Sequence, residues 1–321
     1  MKKRIQLIAP CLILTLVCSA SSYGWSDTGH MAVAFVAYQQ LTPQTRARVD
    51  ALVRLNPRFT LWNNSIPANT SQAKRRLMLF MIAATWADQI KGLEPPYRKD
   101  GPNGGNRPPN DGTAARNIGY SDLAMHKYWH FVDLPFSPDG TPLQDPPVPN
   151  ALTQINTFRM VLASNSPDPL KSYDLVWLLH LVGDVHQPLH CTARFIQGQP
   201  ATGDDGGNLV DVMDGQNRKR LHSFWDGLLG TTNWRSPQVA IDAAQGLPTP
   251  PANLANNMNT AAWINEGFEL AKARVYRSPI GVGSGPFNIT ATYRNQSRAL
   301  ARERVALGGA RLAKILNSEL R

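Results

Sequence analysis

Between Trp177 and Cys191 the chain reads WLLHLVGDVHQPLHC, and His180, Asp184 and His190 stand there at spacings H-x₃-D and D-x₅-H. Positions four apart share one face of a helix, so the imidazole of His180 and the carboxylate of Asp184 can enter a single site. These are oxygen and nitrogen donors suited to a divalent metal. An isolated His/Asp pair on an apolar helix is more often a hydrogen-bonded core pair. The rest of the chain tips the balance, because His222 and Asp226 repeat the spacing and His30 and His130 lie in segments of the same character.

The full candidate set is the Trp25 terminus, His30, Asp88, His130, His180, Asp184, His190, His222 and Asp226. It contains no thiolate, which suits zinc without excluding manganese or iron. Nine residues are too many for one four-coordinate ion, and three zinc ions sharing a carboxylate would use them well. Some assignments stay open at this level. His30 either supplies a ligand or serves a helix terminus, and Phe131 is either a stacking platform or an ordinary core aromatic.

The elements that must position these groups are mainly helical. The apolar run SYDLVWLLHLVGDV predicts a buried helix, with Pro188 ending its regular hydrogen bonding and turning His190 in a new direction. Ser26 or Asp27 can cap a first helix whose apolar face includes Met31, Val33, Ala34, Val36 and Ala37. Further helices are expected over 43–55, 72–91, 150–164, 251–276 and 288–320, the last with Val305, Leu307, Leu312, Ile315 and Leu316 inside. Asp88 and Lys91 fall at the end of the 72–91 helix, where an acid opposes the helix dipole and needs a cationic partner. WHFVDLP reads as extended, with His130 inside and His126 on the surface. LVDVM and KRLHS form a hairpin about a turn at Asp214 to Asn217. The Gly-, Pro- and Asn-rich stretch 92–122 reads as a mobile rim.

Residues 1–24 have the pattern of an export signal: basic Lys2, Lys3 and Arg4, a short apolar run, and a small-x-small site before Trp25. The expected domains are therefore a signal peptide at 1–24 and one catalytic domain at 25–321. With Cys11 and Cys18 in the signal, Cys191 remains alone and cannot form an intramolecular disulfide, so bound metal is the available staple. Net charge falls from +10 to +7 when the three basic signal residues leave. A basic surface favours polyanions. The expected product is an exported, periplasmic or secreted monomer with no stable membrane anchor.

WSDTGH, WADQIK, WHFVD, HLVGDVHQPLH, GGN and HSFWD, in that order, resemble the trinuclear-zinc nuclease family of mung bean nuclease and the fungal S-one and P-one nucleases. The resemblance runs from Trp25 to the final helix. It implies a mainly α-helical fold of the zinc phospholipase C/single-strand nuclease type, cutting single-stranded DNA and RNA to 5′-phosphorylated products, with possible 3′-nucleotidase activity. It places one zinc on Asp88, His130, His180 and Asp184, and a second on the Trp25 amine and carbonyl with His30, Asp184 bridging the two. The third falls to His190, His222 and Asp226. It further implies that Asp88 orients the attacking water, that Lys91 faces phosphate, that Phe131 stacks on a base, and that Asp133 and Asn208 hydrogen-bond its edge. His186 fits no ligand slot and is expected to support the site by a hydrogen bond. The sequence departs from the plant and fungal pattern in lacking their disulfides and in its longer interval from Asp88 to His130, which bears on substrate access.

Two alternatives follow from the same chemistry. A zinc phospholipase C also cleaves a phosphodiester and is similar in ligand order. The short Trp25-to-His30 spacing, Asp226 where that family tends to use Glu, and the set Phe131, Asp133 and Asn208 favour the nuclease. A non-catalytic exported zinc- or nucleic-acid-binding protein would have lost a ligand or the water-orienting carboxylate, and neither is missing.

Overall fold

The computed structural model describes residues 25–320. The proposed signal peptide lies outside the described residues. Helices dominate: α1 Asp27–Gln39, α2 Pro43–Val53, α3 Phe59–Ser65, α4 Gln72–Ala83, α5 Trp86–Gln89, α6 Ala151–Ala163, α7 Asp168–Asp184, α8 Leu221–Asp226, α9 Pro237–Ala244, α10 Ala252–Asn256, α11 Thr260–Leu270 and α12 Ala291–Glu319. Five short strands accompany them: β1 Leu134–Phe136, β2 Thr192–Arg194, β3 Asp211–Asp214, β4 Asn217–Arg220 and β5 Phe287–Asn288. No helix among the described residues is long and apolar enough to cross a membrane.

The bundle is built round α7. Every residue from Lys171 to Asp184 is buried, the state expected of a helix that is apolar on all sides. Asp168 in its first turn and the proline at its start suit the positive end of the helix. Helices α1, α2, α5, α6 and α12 pack around it, so any polar side chain on its last turns must find its partners in the interior. Helix α1 is clamped from outside by α12, where a Cβ at Gly309 would stand 2.6 Å from Val36 Cγ1. Only glycine lets these two backbones come so close. Val305, Leu307, Leu312, Ile315 and Leu316 are all buried, as expected.

Several boundaries differ from the sequence reading, each for a local reason. The helix expected over 72–91 breaks at Ala84, where the Thr85 hydroxyl donates to the Ile82 carbonyl, and resumes as α5 and a 3-10 turn at Ile90–Gly92. The segment expected over 251–276 divides into α10, α11 and a π-turn at Ala271–Val275, and the last helix starts at Ala291 under a Thr290 cap. Helix α7 stops at Asp184, before Pro188, which instead opens a 3-10 turn over Pro188–Cys191. WHFVDLP is not extended throughout, since Lys127–His130 is a 3-10 turn entered through His126 with φ 43°. The hairpin is narrower than expected: β3 and β4 pair antiparallel from Asp211↔Arg220 to Asp214↔Asn217, and Leu221 already begins α8. Strand β5 joins β3 in parallel, and β1 pairs in parallel with β2.

The 92–122 stretch is packed down. Arg98 bridges to Ala124, Asp100 accepts from the His126 backbone, and the Ala114 carbonyl accepts from both Tyr128 and Trp129. His126, expected at the surface, is 2% exposed. Its ring stacks on Trp129 at 3.6 Å and faces Asp100 at 2.7 Å and Asp122 at 3.0 Å. A histidine flanked by two carboxylates can be buried because both ring nitrogens are satisfied.

Candidate metal centre

Helix α7 brings His180 and Asp184 to the middle of the bundle, and four other segments meet them there. The break at Ala84 frees its carbonyl, which accepts from His180 Nδ1 at 2.8 Å. That bond leaves Nε2 of His180 with a lone pair, 3.0 Å from His130 Nδ1, 3.3 Å from Asp184 Oδ2 and 3.6 Å from Asp88 Oδ1. From α1, His30 stacks on His180 with ring centroids 3.8 Å apart and points Nε2 at Asp184 Oδ1, 3.4 Å away. It fits because residue 183 is glycine: a Cβ there would lie 2.8 Å from His30 Nδ1.

A third cluster adjoins these. His190 Nδ1 donates to the His130 carbonyl and His222 Nδ1 to the Gly206 carbonyl, both at 2.8 Å. With those protons spent on backbone, the two Nε2 atoms face each other at 3.1 Å as two lone pairs. Such a contact is repulsive unless a cation lies between them. Asp226 completes the cluster, 3.7 Å from His222 Nε2, and Gln187 Nε2 donates to its Oδ1 at 2.9 Å.

Three groups therefore form, each with ligand atoms within 4.8 Å of one another: His30, His180 and Asp184; Asp88, His130 and His180; His190, His222 and Asp226. All are buried, and several of their polar atoms lack a hydrogen-bond partner, including both ring nitrogens of His30, His130 Nε2, Asp88 Oδ2 and Asp184 Oδ1. Buried orphan donors and acceptors are costly. Their concentration here, in a nitrogen and oxygen donor set, fits zinc.

Electrostatics agree. Burial pushes the imidazoles of His30 down to about 4 and of His130 and His222 to about 3, and lowers His190 also. Neutral imidazole is the form that ligates. His180 moves the other way, because Asp184 and Asp88 outweigh its burial. Burial would raise Asp88, but Lys91 and then the neighbouring histidines bring it down to about 2, and Lys91 Nζ stands 2.7 Å from its Oδ1. Asp226 is pushed well up, by burial first and also by Asp88 and Asp184, with Gln187 opposing. A divalent cation inverts that balance.

The remaining expected residues lie around this centre. Trp25 is buried and its indole donates to the Gly183 carbonyl at 3.0 Å. The chelate expected at its amine depends on cleavage before Trp25, outside the described residues. Phe131 is half-buried at the edge of the core, and Asp133 is 7% exposed. Burial and then Asp205 push the Asp133 carboxyl up to about 8, with Arg107 opposing. Asn208 donates to the Asp205 carbonyl at 2.8 Å, so Asp133 and Asn208 share the 204–208 loop as a neighbour. His186 does not hydrogen-bond a candidate ligand. Its Nδ1 bonds to the Val182 carbonyl and its Nε2 to Arg311, within an Arg304–Glu266–Arg311 ion network.

Two supports were not read from the sequence. Gln187, between His186 and Pro188, steers Asp226, and its place inside the ligand-dense HQPLH run was the available signal. Asp204 pins the loop that carries Gly206 and Asn208, accepting from the Arg194 backbone at 2.9 Å and the Tyr276 hydroxyl at 2.8 Å. Nothing local in sequence marks that role.

The chain is similar to known nucleases. The family model described as S1/P1 Nuclease matches residues 25–321. "Endonuclease 4" of Arabidopsis thaliana is 29% identical over 185 residues, covering 50% of this chain and 56% of the relative. "Endonuclease 1" of the same plant is 27% identical over 164 residues, covering 44% and 48%. "Nuclease S1" of Aspergillus oryzae is 22% identical over 227 residues, covering 68% and 59%. The chain thus spans about half to three-fifths of the length of these curated relatives. On the strength of a match that spans all of its described residues, the chain belongs to the S1/P1 Nuclease family.

Proposed function

We propose that this protein is an exported zinc-dependent endonuclease that hydrolyses phosphodiester bonds of single-stranded DNA and RNA to 5′-phosphorylated products, with 3′-nucleotidase activity from the same site. The observation that carries the reading is the meeting of three buried His/Asp groups, two of them joined through the shared His180 and the third reaching Asp184 through His190, in a chain of this family. His30, Asp184 and the Trp25 terminus would hold one zinc. Asp88, His130, His180 and Asp184 would hold a second, and His190, His222 and Asp226 a third. Zinc held there would supply Lewis acidity toward the phosphate and a water acidic enough to act near neutral pH.

The chain's own groups do the rest. Asp88, ionised through its contact with Lys91, accepts a proton from the attacking water and orients it. Lys91, with its side chain only 3% exposed, presents a desolvated ammonium toward the phosphate. Phe131 offers a ring on which one unpaired base can stack, while Asp133 and Asn208 read its edge. A base already stacked in a duplex cannot make that contact, which accounts for single-strand preference.

The test is release of acid-soluble nucleotide from single-stranded DNA by Trp25-first protein, with and without chelator, and with duplex DNA in parallel. Chelator-sensitive release that favours the single strand is expected. No release at full zinc occupancy would overturn the reading and redirect attention to phosphatidylcholine.

A further inference from the structure

A cleft of about 490 Å³ opens onto the metal centre, with Asp88 and Asp226 at its inner end and Arg58, Trp234 and Arg235 among the residues of its walls. Phe131, Asp133 and Asn208 do not line it. The centre therefore has a second approach, distinct from the expected base seat, and Arg58 and Arg235 stand in its walls beside Asp27, Asp88 and Asp226.

The two arginines are held in place rather than left to wander. Arg58 donates through Nε to Gln89 Oε1 at 3.0 Å, and the same oxygen accepts from the Trp62 indole at 3.1 Å. Gln89 is fixed in turn by the Thr85 hydroxyl at 2.7 Å. Arg235 lies over the Trp234 ring, 4.6 Å from its centroid, a cation–π contact that sets the direction of the guanidinium. The Trp234 backbone is tied to Asp27 at 2.8 Å. Arg58 is half-buried; its charge is disfavoured first by burial and also by Arg235. Among the described residues, neither guanidinium has a carboxylate within ion-pair distance. Two oriented, mutually repelling guanidiniums beside an inner wall of catalytic carboxylates form a seat for an anion, and guanidinium forks match phosphate oxygens.

We propose that Arg58 and Arg235 form a subsite for the backbone phosphate next to the scissile one, in a cleft that Phe131 does not line. The subsite rests on the nuclease reading above and deepens it: the strand is gripped on both sides of the cut. Trp234 is a positioning residue, since it is 8% exposed and acts by carrying Arg235. A dinucleoside monophosphate has no second phosphate and cannot use the subsite, whereas an oligonucleotide can.

The experiment compares mature wild-type protein with Arg235→Ala, Arg235→Lys and Arg58→Gln, each checked for zinc content and thermal melting. Substrates are thymidylyl-thymidine monophosphate and single-stranded octathymidylate. Arg235→Ala should raise KM for the octamer about five-fold, as for a partly exposed ionic contact, and leave kcat and both dinucleotide constants unchanged. Arg235→Lys should recover part of the loss. Binding of a phosphorothioate octamer, followed by anisotropy against salt, should lose about 0.7 from its logarithmic slope per phosphate contact removed. Unchanged octamer constants, or equal losses on both substrates, would overturn the subsite while wild-type cleavage upheld the nuclease. A wild-type protein that cleaves neither substrate would sink the nuclease reading and the subsite with it.

Discussion

Replacing Gly183 by alanine puts a methyl group against the metal centre without touching a ligand. The added Cβ would lie 2.8 Å from His30 Nδ1 and 3.2 Å from its Cε1. His30 has little room to retreat, because its other face is stacked on His180 at 3.8 Å and its Nε2 is directed at Asp184. Alanine in a helix interior is favoured over glycine by about 1 kcal/mol, while overpacking a tight core costs roughly 1–3 kcal/mol. The metal-free variant should therefore range from equal stability to about 2 kcal/mol of destabilisation. The larger effect is on zinc. A ligand pushed off its line should weaken one of the sites by ~10- to 100-fold, as outer supports of metal sites do when lost. Chelator-competition titration with zinc counted per chain, together with melting of the metal-free protein, measures both. A variant that kept wild-type zinc affinity at every site and melted higher by the full helix gain would refute the argument that Gly183 makes room for His30.

Gln187→Ala removes the donor to Asp226 and should weaken zinc binding at the His190, His222 and Asp226 group by ~10-fold or more; unchanged zinc retention under graded chelator would show that Gln187 does not steer that carboxylate. His126→Phe tests the buried His126 pair. Burial acts to lower the His126 pKa, but Asp100 and Asp122 outweigh it and hold it above 6.5, while the same contacts hold both carboxyls below 3.8 against their own burial. Their contribution is present below the unfolded histidine value and lost as pH rises through the raised one; on the acid side it is lost as pH falls through the depressed carboxylate values. Destabilisation by His126→Phe should thus be greatest between these limits, about 1–3 kcal/mol, and fade above neutrality; a pH-independent difference in denaturant midpoints would contradict it. Finally, a residue added before Trp25 converts the proposed amine ligand to an amide, and zinc counted per chain should fall by one ion; full occupancy and activity would refute the Trp25 chelate.

The eight His and Asp candidates that the fold gathers into buried groups stood out in the sequence, because metal ligation imposes residue type and spacing that local sequence displays. His180/Asp184 and His222/Asp226 sit four apart on helices in both descriptions. Helical periodicity likewise carried the core of α12. Elsewhere local pattern lost to tertiary partners. His126 looks like a surface residue until Asp100, brought back by the folded 92–122 segment, and Asp122 satisfy its ring. The expected 72–91 helix reads as continuous, yet the Ala84 carbonyl is spent on His180 rather than on helix bonding alone.

What the sequence determined by itself is the inventory: a mainly helical chain, its candidate ligands, their family order and the glycine-rich loop among them. What only the tertiary structure decided is which groups meet. His190 and His222 are joined because each spends a proton on a distant carbonyl, and Arg58 and Arg235 share a cleft although long stretches of chain separate them. Spacing along a helix is a local property written in residue order. Convergence of separate segments depends on how buried faces pack, and no single segment encodes that.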